Sequence, residues 1–404
     1  MAKHHMSSKL HNAIDLALLT CKMNIDGIHD HAIPYVIGTP GGGKTRLFAA
    51  ECKKREWPFL HYTPALERLE KFGGIPEIQF NEDSELHTLW SVPQMVCDIR
   101  AAAKQNNPNT PIVVLLDDWH LCSPQIQQIG FELFTYKSLN NHQLPENVQF
   151  VLAGNEKSAA GAKVQLSAIK NRCMIFYADT DIDYWIDNYA IPNNLHSAGI
   201  TFFQNRENWP YFHEEESTTE QFASPRSWTS AFNMLKYMET QGKPSDQCKA
   251  MIEGNVGPEA ASKFWMYYTI YSKIDTAKIF DKGIVELPEN TIEMYAFGGA
   301  VSAEYYHRAT VIHNSKSRNK KEELKKLGSV LEKCIHETTK KSYTEITMMM
   351  IKNIIAREEN EKLNLPSGRK IMADMITSNQ ISPKLLEELQ RRNQKLQELG
   401  RATA

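Results

Sequence analysis

The sequence predicts an α/β protein in which a parallel sheet carries helices on both faces and mainly helical parts follow. Three observations carry this. Residues 112–116 are a continuous aliphatic run, and residues 33–37 and 148–152 are short, mainly apolar runs, as strands buried on both sides require. A glycine-rich stretch joins the first of these runs directly to a helix-favouring segment. From about Asp179 onward the pattern changes to helices and polar loops.

Taken in order, the chain begins with "MAKHHMSSKLHNAIDLALLT", whose short apolar part is broken by Asp15 and lacks a small-residue cleavage site. It reads as an amphipathic helix rather than a signal peptide. The run Ile33–Ile37 then leads into Gly38-Thr39-Pro40-Gly41-Gly42-Gly43-Lys44-Thr45. This fits G-x-x-x-x-G-K-[ST] at every fixed position, and Lys44 to Arg55 favours a helix with Leu47, Phe48, Ala49 and Ala50 on its apolar face. Glycines let successive N–H groups turn inward as an anion nest, to which the helix N-terminus adds partial positive charge. Lys44 would reach the β- and γ-phosphates of a nucleotide, and the Thr45 hydroxyl would sit on Mg²⁺. The competing reading is a glycine-rich turn with a coincidental lysine.

"WPFLHYT" reads as the second strand. Lys71-Phe72-Gly73-Gly74 then offers either an exposed aromatic on a hinge or a core phenylalanine at a helix end. In "PIVVLLDDWH" the strand 112–116 ends in Asp117 and Asp118. Asp117 suits the Mg²⁺ water shell and Asp118 the polarisation of an attacking water; alternatively the two cap the next helix. "NVQFVLAGN" is a third strand whose tip, Asn155, would sit beside a γ-phosphate.

The ordered set "GTPGGGKT", "VVLLDD", "VLAGN", "IKNR" and "FASPRSW" resembles AAA+ ATPases, most of all the MoxR-type branch in the short forms of bacteria and their phages. The resemblance covers roughly residues 10 to 240. It implies a P-loop NTPase fold with an α-helical lid, ATP and Mg²⁺ as cofactors, and a Walker A loop at Gly38 to Thr45, with Arg46 beside it. It makes Asp117-Asp118 the Walker B pair and gives Asn155 the likeness of sensor 1. Arg172 of "IKNR" resembles an arginine finger and Arg226 of "SPRSW" resembles sensor 2. The family has Asp-Glu where this chain has Asp117-Asp118, so the shorter carboxylate must reach its water differently, and its rate is the point at issue.

An arginine finger acts on the neighbouring subunit's nucleotide, which implies a head-to-tail ring, commonly a hexamer. The bland reading makes Arg172 a surface residue before "CMIFYA". Ser224-Pro225 is a helix start that would project Arg226 from its first turn, while Trp228 and Phe232 pack the lid. Residues 193–216 read as a long surface excursion, "VGPEAASKFWMYYTIY" as buried lid core, and "FDKGIVELPEN" as a linker. "HNSKSRNKKEELKKL" is a solvated helix rather than a DNA-binding arm, and "SPKLLEELQRRNQKLQELG" is a helix from Ser382 to Gly400 with a leucine stripe. The expected domains are 1–178 (nucleotide-binding α/β), 179–275 (lid) and 276–404 (helical extension).

With 404 residues, 23% charged and a net charge of −2, the chain has no global field to advertise nucleic acid or membrane. Seven scattered cysteines read as reduced thiols, and the 14 histidines show no ligand spacing. No segment has the apolar length of a membrane span. These features, with the resemblance, imply a cytoplasmic ATPase of a bacterium or phage-infected host that remodels a protein client in a chaperone-like way. The rivals are an AAA+ motor or loader on DNA and an ATP-gated scaffold with little turnover.

Overall fold

The structure, a computed structural model, describes residues 7–28, 32–80, 85–155, 167–213, 221–243, 245–315, 317–357, 365–369 and 371. The chain divides into two compact units, Met1–Asp181 and Ile182–Ala404. The leucine-striped helix expected over 382–400 lies outside the described residues.

The first unit runs β1 (Ser7–Lys9), α1 (Leu10–Ile25), β2 (Ile33–Gly38), α2 (Lys44–Lys54), β3 (Phe59–Tyr62), α3 (Leu69–Gly73), β4 (Pro76–Phe80), β5 (Leu86–Trp90) and α4 (Gln94–Gln105). It continues with β6 (Ile112–Leu116), α5 (Pro124–Tyr136), β7 (Ser138–Leu139), β8 (His142–Gln143), β9 (Val148–Gly154), α6 (Ser167–Lys170) and β10 (Cys173–Asp179). Six strands form one sheet in the order β1-β10-β2-β9-β6-β3, every neighbouring pair parallel. The expected fold class is what the chain adopts: a P-loop α/β sheet with helices on both faces.

The aliphatic strands behave as continuous runs should. Val113 and Leu115 of β6 face a core shared with Ile14 and Leu18 of α1 and with Phe48 of α2. Ile112, Val114 and Leu116 face the opposite core, with Val96 and Ile99 of α4 and Leu133 and Phe134 of α5. Period-two alternation thus splits one strand between two helical layers. Proline at the first turn and a Ser123 hydroxyl that accepts from the Ile126 N–H start α5.

Of the two readings of Phe72, the structure takes the core one. Its ring is 3% exposed and packs with Met95, Val96 and Trp119. The exposed apolar residues are farther along, on the antiparallel hairpin of β4 and β5: Ile78 is 75%, Phe80 70% and Leu86 66% exposed.

The second unit contains α7 (Ile182–Trp185, continuing as a π turn over Ile186–Ala190), α8 (Ser197–Gln204), α9 (Pro225–Thr240), α10 (Ser245–Val256) and α11 (Pro258–Tyr271). Then come α12 (Thr276–Lys282), α13 (Thr291–Asn314), α14 (Lys320–Lys340) and α15 (Thr344–Ile355). Among the described residues no helix is long and apolar enough to cross a membrane. Its core is aromatic: Phe202, Phe203, Trp228, Phe232 and Phe264 are all buried, with Phe203 and Trp228 in edge contact at 5.1 Å. Met294, Tyr295, Ile346 and Met349 belong to this same core, so apolar packing continues across residue 275.

The surface excursion expected over 193–216 is corrected within its described part, 193–213. The polar composition concealed α8, whose Ala198, Ile200, Phe202 and Phe203 are buried, and the His196 imidazole starts it by accepting from the Ala198 N–H. The stretch from Pro258 to Tyr271 is core helix as expected, burying Ala260, Ala261, Phe264 and Tyr267.

Candidate nucleotide site

β2 lies inside the sheet, between β10 and β9, and delivers the chain to Gly38 at its carboxyl end. Open parallel sheets place ligands at that end, where helix N-termini point outward. A Cβ on Gly38 would come within 2.8 Å of the Ala178 carbonyl oxygen, so the strand neighbours admit only glycine there. Gly41 and Gly43 have φ of +71° and +94°, the left-handed values that turn their amides into the loop. Gly43 is then the residue from which α2 starts. Thr39, on the same loop, holds its hydroxyl 2.8 Å from that of Thr180, just past β10.

Lys44 opens α2 and is only 8% exposed. Its ammonium donates to the Gly38 and Thr39 carbonyls at 3.0 and 2.9 Å and to the Asn155 side-chain oxygen at 2.8 Å. A cation is therefore held over the loop by acceptors that phosphate oxygens can replace. Arg46, two residues along, is exposed.

The next residue, Thr45, donates its hydroxyl hydrogen bond to Asp117 Oδ2. Asp117 stands at the tip of β6; its other oxygen accepts the Asp118 N–H at 3.0 Å, and His61 Nε2 of β3 lies 3.3 Å from Oδ2. Burial would raise the Asp117 carboxyl, but the hydrogen bonds from His61, Thr45 and the Asp118 amide outweigh it and hold the group below the usual carboxylate range. It is an anion kept ready for a cation. Thr45 and Asp117 offer hard oxygen donors side by side, the donor set Mg²⁺ takes from a P-loop protein.

Asp118 follows with φ of +51° and leads the short 3₁₀ turn Trp119–Leu121, without capping it through its side chain. The capping alternative is therefore not realised at Asp118. Asn155, at the tip of β9, is fixed from both ends: its side chain takes the Lys44 hydrogen bond and its N–H donates to His120 Nδ1 at 3.3 Å.

The structure thus joins Lys44 to Asn155 and its chain neighbour Thr45 to Asp117, two side-chain hydrogen bonds side by side at the start of α2. Arg172 belongs to neither pair. Arg172 is exposed, stacks its guanidinium 4.7 Å over the Phe131 ring, and donates to the Ala168 carbonyl at 3.1 Å. Arg226 belongs to the second unit, exposed in the first turn of α9, which Ser224 and Ser227 close with a capping box. Trp228 and Phe232 beside it are buried in the aromatic core.

Sequence reasoning missed His61 and His120. Neither has a spacing signal: His61 is one of several mixed residues in β3, and His120 is buried because a turn folds it under Asn155. Only the parallel register, which sets His61 opposite Leu115 of β6, shows that it lies near the Asp117 carboxylate.

No family model matches the chain, and no curated protein matches it. Among solved structures it is similar to the Thermotoga maritima RuvB Holliday junction branch migration motor, at 13% identity and a TM-score of 0.35, over 67% of this chain and 76% of that one. A point mutant of the same RuvB aligns at 14% identity and a TM-score of 0.36, over 68% of this chain and 77% of that one. These values describe a distant likeness.

Proposed function

We propose that the protein is an AAA+ ATPase of the MoxR-like kind, which hydrolyses ATP between subunits of a ring to remodel a protein client. One observation carries the reading: Lys44, Thr45, Asp117 and Asn155, from three separate strand ends, converge on the loop after β2 through two hydrogen bonds. Structural chance rarely assembles a lysine, a hydroxyl, a carboxylate and an amide in that order.

In this reading the amides of Gly41 to Thr45 cradle the β- and γ-phosphates, and Lys44 exchanges its carbonyl partners for phosphate oxygens. Thr45 and Asp117 hold Mg²⁺, which supplies charge neutralisation on the transferring phosphoryl group. Asn155 orients water against the γ-phosphate. Asp118, uncommitted to capping, accepts a hydrogen bond from that water as it attacks. Arg172 completes the neighbouring subunit's site, and Arg226 acts from the lid, which this reading ends near residue 275. An arginine supplied at the γ-phosphate is worth about 10³–10⁵ in rate in related phosphoryl transfer.

A specific feature favours a polypeptide client over DNA. Pairing Pro76 with Trp90, Ile78 with Thr88 and Phe80 with Leu86 gives the β4–β5 hairpin one largely apolar face. The span 76–90 carries Glu77, Glu82, Asp83 and Glu85 and no lysine or arginine. Such a surface takes apolar side chains and repels phosphates. Phosphate release by the full chain, alone and with denatured casein or duplex DNA, tests the proposal. Lys44→Ala should lose nucleotide binding. Arg172→Ala should bind ATP without turning it over, and mixing it with Asp118→Asn should restore part of the activity. Normal hydrolysis by a monomeric Arg172→Ala protein overturns the ring, stimulation by DNA alone overturns the client class, and binding without turnover in the wild type favours an ATP-gated scaffold.

A further inference from the structure

His61 has no place in the mechanism so far, yet it reaches the same carboxylate oxygen as Thr45. β3 is the edge strand of the sheet, paired in parallel with β6 so that His61 lies opposite Leu115. The Asp117 N–H donates to the Tyr62 carbonyl at 2.8 Å, which locks the two strand ends together. From there the imidazole leans over the strand tip, with Nε2 at 3.3 Å from Asp117 Oδ2 and its side chain 39% exposed. The Thr45 hydroxyl meets that oxygen from α2. Two oxygens and one nitrogen therefore gather at one point.

We propose that His61 is a third protein ligand of the divalent cation held by Thr45 and Asp117, and that it biases the site toward a first-row transition ion over magnesium. This rests on the nucleotide reading and deepens it. Adjacent donors of an octahedral ion bound at about 2.0–2.1 Å stand about 3 Å apart, so the 3.3 Å between nitrogen and carboxylate oxygen is close to the spacing two neighbouring ligands adopt. Imidazole nitrogen is a borderline-soft donor that adds affinity for cobalt, nickel or zinc, in line with the Irving–Williams order, and adds little for magnesium, which keeps oxygen and water. A P-loop site with only hydroxyl, carboxylate, phosphate and water donors lacks that preference. The chain supplies the nitrogen from a neighbouring strand, and 39% exposure leaves the ring free to turn the small distance required.

The test uses the full chain with ADP and three probe ions: Mg²⁺, Co²⁺ and Mn²⁺. In the wild type, the Mn²⁺–ADP complex should show pulsed-EPR coupling to a directly bound ¹⁴N, and His61→Ala should abolish it with the same nucleotide present. In equilibrium titrations, His61→Ala should weaken Co²⁺-dependent ADP binding about tenfold while changing Mg²⁺-dependent binding less than twofold, within the range a metal-site partner commands. His61→Gln, which keeps a hydrogen-bonding side chain, should behave as the alanine variant does. No ¹⁴N coupling in the wild type, or coupling unchanged in the variant, overturns the proposal. Equal weakening with all three ions, rescued by glutamine, also overturns it, because His61 then only positions Asp117. Lys44→Ala separates the two layers of inference. If the wild type binds Mg²⁺–ADP in a Lys44-dependent way yet shows no ion bias, only the role of His61 fails. If no ion supports Lys44-dependent binding, the nucleotide reading itself fails.

Discussion

The Lys44 ammonium donates a 2.8 Å hydrogen bond to the side-chain oxygen of Asn155, joining the first turn of α2 to the tip of β9 across 111 positions of sequence. This bond ties the cation proposed to bind phosphate to the residue proposed to orient water. Asn155→Ala should keep ATP binding within about threefold, because Lys44 retains its other acceptors. Phosphate release should fall on the order of a hundredfold, the usual cost of misplacing a reacting group by about 1 Å. Equal loss of binding and turnover would make Asn155 a structural brace only.

Asp118 occupies a left-handed backbone position, φ +51°, that aspartate and asparagine tolerate far better than longer side chains. This gives a physical reason for an aspartate where the resembled family has glutamate. Asp118→Asn should leave stability within about 0.5 kcal/mol by urea denaturation while phosphate release drops about a hundredfold. Asp118→Glu should cost about 1 kcal/mol of stability. A glutamate variant as stable as the wild type would show that the backbone there is not what selects aspartate.

The β4–β5 hairpin exposes Phe80 at 70% and Trp90 at 39%. Because Phe80 is largely out of the core, Phe80→Asp should change folding stability by less than about 0.5 kcal/mol. Stimulation of ATP turnover by denatured casein should fall at least fivefold, with the unstimulated rate unchanged. Full stimulation in the variant would move client contact elsewhere.

In the second unit, Glu239 receives hydrogen bonds from Tyr268 and from His196, the latter at 2.9 Å. Burial raises its pKa, but the His196 and Tyr268 hydrogen bonds, the His196 charge and the Lys236 charge together hold it below the usual carboxylate range. A depressed folded pKa stabilises the protein above the unfolded value of about 4.3, and that stabilisation disappears as pH falls through the lower folded value. Glu239→Gln should therefore melt earlier than the wild type at pH 7, with the gap closing as pH falls below about 4.3. A gap that is constant with pH would assign the effect to packing.

The motif-bearing parts were legible because their physics is local. The continuous aliphatic run 112–116 and the mainly apolar run 148–152 state that both are buried from both sides, and glycine spacing states that the chain turns tightly before Lys44. Helix α8 was hidden for the opposite reason. Its buried run from Ala198 to Phe203 sits in an asparagine-rich neighbourhood, and burial there is decided by Phe232, Phe264 and Tyr267 from distant helices. Phe72 beside two glycines fitted hinge and core equally, and only packing against Met95 and Trp119 chose between them.

The amino-acid order by itself determined the glycine-rich turn after the first strand, the acidic strand end and the α/β core with helices on both faces of the sheet, since each depends on neighbours a few residues apart. Tertiary structure alone decided that Lys44 meets Asn155, that His61 and Thr45 share one oxygen of Asp117, and that a hairpin rather than Phe72 presents apolar surface. Those outcomes follow from strand order and register, which set distant residues within hydrogen-bonding reach and leave no trace in local spacing.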